Sequence, residues 1–156
     1  RTDTISSPTA IQRPPIELAA MAVGATFLVV GILGFVPGVT QDFDTMKFAG
    51  HESGAMLLGL FQVSILHNIV HLLFGVAGIA AAKAISTARS YLIGGGLIYG
   101  ALGVYGIVVD KMSDANFVPV NNADNWVHIG LSAPMIVLGL ALSARTTETG
   151  RASRLG

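Results

Sequence analysis

The chain has 156 residues, of which 52% are apolar and only 12% charged; soluble domains carry about 25% charged residues. A formal net charge of zero argues against a nucleic-acid partner, which would show as a basic face. The absence of cysteine removes disulfides, thiolate metal sites and a Cys nucleophile.

Residues 1–15 are polar and rich in Ser, Thr and Pro, and read as a mobile N-terminal tail. Leu18 to Val36 is a run without a charge, about the length needed to cross a ~30 Å hydrocarbon core. It exceeds the usual apolar core of a cleaved signal peptide, so a retained span is expected. Pro37-Gly38 ends it, and a long connection over 37–54 follows. Ala55 to Ala82 is too long for a simple span. Counting back about 20 residues from Lys83 sets the crossing near 63–82, with 55–62 either interfacial or a continuation of the helix. The third run is Tyr91 to Val109, closed by Asp110 and Lys111. The fourth is Asn125 to Ser143, with Pro134 inside it. The expected fold is all-α: a four-helix transmembrane bundle over 16–145, followed by a basic C-terminal tail over 146–156.

Basic residues orient the bundle. With both termini cytoplasmic, Arg1, Arg13, Lys83, Arg89, Arg145, Arg151 and Arg154 are inside, and only Lys47 and Lys111 are outside. This is the positive-inside bias. It points to a multi-pass membrane protein, with His51, His67, His71 and His128 toward the outer half.

At 100° per residue each span has one face of small or polar residues. These are Ala20, Gly24, Gly31 and Gly34 in the first, and His67, His71, Gly75, Gly78 and Ala82 in the second. The third offers Gly96, Gly100, Gly103 and Asp110; the fourth offers His128, Ser132, Met135 and Gly139. Small residues let helices approach closely in lipid, and the histidines and Asp110 extend those faces inward. A rise of about 1.5 Å per residue sets His67 and His128 at one level, roughly 24–26 Å above the inner edge. A repeat is also visible. Asn68-x-x-His71 returns as Asn125-x-x-His128, and Gly31-x-x-Gly34 returns as Gly103-x-x-Gly106.

Buried His and Asn in membrane helices can simply hydrogen-bond between helices, and Asn125 or Asp124 can cap the fourth helix. The sharper reading is a ligand set, because neutral imidazole binds haem iron, chlorophyll magnesium, zinc or copper. For a haem or a chlorophyll-type pigment the candidates are His71, His128 and His67. For a divalent metal they are His67, His71, His128 and Asp110. Proton handling from the outer side is a third use. Metalloprotease chemistry is disfavoured, since His67-x-x-x-His71 lacks the Glu of His-Glu-x-x-His. With no nucleophile elbow and no phosphate loop, a non-enzymatic protein is expected. The leading expectation is an accessory or scaffold subunit packing against other membrane proteins or itself, within the lipid bilayer.

The segments Leu60-Phe61-Gln62-Val63, His67-Asn68-Ile69-Val70-His71-Leu72-Leu73-Phe74-Gly75 and Ala123-Asp124-Asn125-Trp126-Val127-His128 resemble a bacterial family of small four-span membrane proteins, known only as a domain of unknown function. The resemblance covers residues 18–143. It implies a four-helix inner-membrane protein and brings no activity, cofactor or catalytic residue.

Overall fold

The computed structural model describes residues 13–152, so 1–12 of the expected N-terminal tail and 153–156 of the C-terminal tail lie outside the described residues. The chain is mostly helical, with α1 (Pro15–Leu33), α2 (Ile65–Ala81), α3 (Ile85–Val108) and α4 (Asn122–Ala152). Three segments are long and apolar enough to cross a membrane: α1, α3 and the Asn122–Ser143 part of α4. The fourth helix of the set, α2, is apolar but has 17 residues.

Each boundary has a local cause. Pro15 starts α1 at a position where its missing N–H and fixed φ are no handicap. Ser64 caps α2, its Oγ accepting from the His67 backbone N–H at 3.1 Å. The Thr87 hydroxyl closes the short α2–α3 link by donating to the carbonyls of Ala81 and Ala84. At the start of α4, Asn121 and Asp124 form a reciprocal cap. Asn121 Oδ1 accepts from the Asp124 N–H at 3.0 Å, and Asp124 Oδ2 accepts from the Asn121 N–H at 2.8 Å.

The all-helical expectation meets one exception, in the segment joining α1 to α2. Here β1 (Thr40–Gln41), β2 (Met56–Leu57) and β3 (Phe61–Gln62) make a small antiparallel sheet in the order β1-β2-β3. Residues 55–62 are therefore not a continuation of the second helix, which begins at Ile65. The β2–β3 turn has positive φ at both Leu58 (55°) and Gly59 (69°), the mirror-image turn that suits strand twist. The sheet sits on the end of α1, because Ala55, Leu57 and Val63 bury against Val30 and Leu33.

Packing divides the helices into two hairpins, α1–α2 and α3–α4, with much lighter contact between them. The hairpins repeat each other. Adding 72 to α1 positions (24 to 96) and 57 to α2 positions (71 to 128) superposes the close approaches one for one. A Cβ on Gly24 would meet Gly75 and Ile79, and one on Gly96 would meet Ser132 and Ile136. Gly31 faces Leu72 as Gly103 faces Ile129, and Gly34 faces the Asn68 amide as Gly106 faces that of Asn125. Phe27 and Tyr99, also equivalent, meet in the middle with Met135. Two similar hairpins side by side thus form a bundle with an approximate twofold axis along the helices. Residues such as Leu73, Val76, Leu97, Val104, Val137 and Leu140 point outward and are exposed, as a lipid-facing surface requires.

Candidate functional site

The axis of the bundle passes through imidazoles. His71 and His128 are equivalent residues of the two hairpins, and His67 lies one turn before His71 on α2. All three are buried. One ring nitrogen from each lies within 4.8 Å of one from each of the others. The His67 and His71 ring centroids are 4.7 Å apart and those of His67 and His128 are 6.5 Å apart. Aromatic walls hold the rings, with Phe27 stacked on His71 at 5.8 Å and Tyr99 edge-on to His128 at 5.0 Å.

Hydrogen bonding sets what these rings offer. His67 Nδ1 lies 3.0 Å from the Pro119 carbonyl. A carbonyl only accepts, so Nδ1 carries the proton and Nε2 keeps its lone pair. That is the arrangement of a metal-ligating histidine, whose second nitrogen is fixed by a backbone oxygen. His71 Nδ1 and His128 Nδ1 are buried with no partner among the described residues. His51 Nδ1, the Asn68 amide and Asn125 Oδ1 are likewise without a partner, so what singles out His71 and His128 is that each brings a ring nitrogen close to one of His67.

The sequence-derived site residues divide. His67, His71 and His128 come together. Asp110 does not join them. α3 ends at Val108 and Val109 is extended, so Asp110 is carried out to an exposed turn, where Oδ1 accepts from the Met112 N–H at 3.0 Å. The acid near the imidazoles is Asp124, buried, whose Oδ2 also accepts from the Gln62 N–H at 3.1 Å. Its signal in the sequence is the repeat itself, since the offset of 57 that maps His71 on His128 maps His67 on Asp124. His51 stays apart, with its carbonyl accepting from Gln62 Nε2.

Two crevices reach the cluster from opposite sides. One, of about 260 Å³, opens between α1 and α4 under the β2–β3 turn, past Val30, Leu58 and Val127. The other, of about 240 Å³, opens between α2 and α3, past Val70, Leu102 and Phe117. His67, His71, Tyr99 and His128 line both. Val70 and Val127 are equivalent residues of the repeat (70 to 127), so the two crevices are themselves related by the approximate twofold axis.

Residues 17–141 match the model of a family described as a domain of unknown function (DUF4383). No curated protein and no solved structure matches the chain.

Proposed function

We propose, on the premise that this chain belongs to the family defined by that domain of unknown function, that it is a four-span membrane protein that binds one transition-metal ion through His67, His71 and His128. The observation that carries the reading is the convergence of three buried imidazoles from both hairpins, two of them with a partnerless Nδ1. Zinc–nitrogen bonds of about 2.0–2.1 Å place tetrahedral ligand atoms roughly 3.4 Å apart. Small ring rotations bring nitrogens now within 4.8 Å to that spacing. Three neutral imidazoles suit zinc, copper or iron better than magnesium or calcium.

A haem or a chlorophyll-type pigment fits less well. Such a ring needs an open plane around its metal, whereas here a third imidazole, Phe27 and Tyr99 crowd the space between His71 and His128. The basic residues support both termini on the cytoplasmic side of a bacterial inner membrane, with the sheet and the histidines toward the outer face. In that frame α2, at 17 residues, covers roughly 25 Å, and the Ser64 cap brings the polar chain directly onto the site.

The purified full chain, stripped with a chelator and titrated with Co(II), tests the reading. One equivalent should give visible ligand-field bands, and His71→Ala or His128→Ala should abolish them while His51→Ala leaves them intact. Binding that survives both of the first two variants refutes the assignment. A second reading, an accessory subunit, draws on Gly94 and Gly130, where an added Cβ would meet nothing within 4 Å, leaving room for a neighbouring helix. Recovery as a lone monomer from mild detergent, with nothing co-purifying, counts against it.

A further inference from the structure

Asp124 stands in the second hairpin where His67 stands in the first. Each is the third residue after its capping residue, Asn121 or Ser64, and each gives its backbone N–H to that residue's side chain. Asp124 and His67 both line the α1–α4 crevice. The two hydrogen bonds that the carboxylate accepts, from the backbone N–H groups of Asn121 and Gln62, both end on Oδ2. Oδ1 has no partner among the described residues. The opposite crevice has the same imidazoles and Tyr99 but no carboxylate, and its Tyr105 hydroxyl is already committed to the Ala115 carbonyl. Two crevices of similar volume on opposite sides of the cluster thus differ in chemistry.

We propose that the metal centre keeps its fourth coordination position toward the α1–α4 crevice, and that this position takes a small protic oxygen donor whose O–H is accepted by Asp124 Oδ1. The inference rests on the three-imidazole reading above. Sites with three protein ligands characteristically leave one position to water or to a substrate, and a carboxylate beside that position orients what binds there. Asp124 lies outside the group of mutually close nitrogens, so it acts on the ligand rather than on the ion. The apolar residues of the crevice, among them Val30, Leu57 and Leu131, keep bulk water from competing for Oδ1. Such walls admit a small alcohol, phenol or hydroxamic acid and disfavour a highly charged one.

The probe is phenol, a neutral O–H donor with a single ligating oxygen, added to the Co(II)-loaded full chain in lipid nanodiscs and followed by the visible bands. Wild type should respond. Asp124→Asn keeps an oxygen for both backbone N–H groups, so the cap and the ion should be retained. Phenol should bind it about tenfold more weakly, the loss of one charge-assisted hydrogen bond. Val127→Trp, which fills the rim of the α1–α4 crevice, should block the response, and Val70→Trp at the equivalent rim should leave it. An equal response in wild type and Asp124→Asn, or a block by Val70→Trp instead of Val127→Trp, overturns the inference. Co(II) bound and lost in His71→Ala, with no response to phenol, leaves the ion site standing and refutes only the open position. Failure of wild type to bind Co(II) refutes both.

Discussion

The contact between Gly24 and α2 gives the sharpest test of the hairpin packing. A Cβ built on Gly24 would lie 2.8 Å from the Ile79 nitrogen, 2.9 Å from the Gly75 oxygen and 2.9 Å from the Gly78 carbonyl carbon. All three are backbone atoms and cannot swing aside as a flexible side chain would. Comfortable non-bonded separations begin near 3.5 Å, so Gly24→Ala must part α1 from α2 by roughly half an ångström or more. Overpacking of this kind costs about 1–3 kcal/mol, to which thinned contacts along the rest of the interface add. Alanine's better helix propensity returns about 1 kcal/mol. The matched controls are Gly94→Ala and Gly130→Ala, where the new methyl meets nothing within 4 Å and only the propensity gain of about 1 kcal/mol remains. That gain is common to all three variants and cancels, so Gly24→Ala should fall about 1–3 kcal/mol below either control. The measurement is reversible SDS unfolding in mixed micelles, followed by far-ultraviolet circular dichroism. The same variant should bind Co(II) more weakly, because Phe27, the next turn of α1, stacks on His71. A midpoint for Gly24→Ala indistinguishable from that of Gly130→Ala would refute the close-approach argument.

In Gly106→Ala the new methyl falls on the Asn125 amide, one turn before His128. It should lose about 1–3 kcal/mol in the same unfolding assay and lower Co(II) affinity. Ser64→Ala removes the oxygen that receives the His67 N–H. It should cost about 0.5–2 kcal/mol and weaken ion binding through His67, and a cap variant with wild-type stability would contradict the assignment. A single cysteine at Ser113, in the turn after α3, should react with a membrane-impermeant maleimide added outside intact cells. Labelling only after lysis would reverse the orientation read from the basic residues.

Much of this was legible in the sequence because membrane helices advertise themselves by length and lack of charge. Apart from Asp110 and the partly buried Gly100 and Ser132, every residue assigned to the inner faces is buried, from Ala20 and Gly24 to Met135 and Gly139. The meeting of His67, His71 and His128 follows from the same helical periodicity and depth. The sheet was not legible, since strands of two residues are too short to show alternation. Leu58 at a positive φ gives no local cue, because leucine rarely adopts that conformation. Asp110 misled for a physical reason. Extending the α3 face assumed that the helix continued, but it stops at Val108 and the next two residues turn away. Asn125 or Asp124 is expected as the cap of α4; the cap is Asn121, and Asp124 bonds back to it from inside the first turn. Only the repeat reveals that Asp124 also occupies the counterpart of a histidine's place.

The loose seam between the hairpins has a consequence for the ion itself. Two imidazoles come from one half of the protein and one from the other, across a boundary more lightly packed than either hairpin. An ion seated there would act as a clasp, and occupancy would fasten the halves against lateral slippage in the bilayer. The protein's rigidity would then track the supply of free metal that reaches the site.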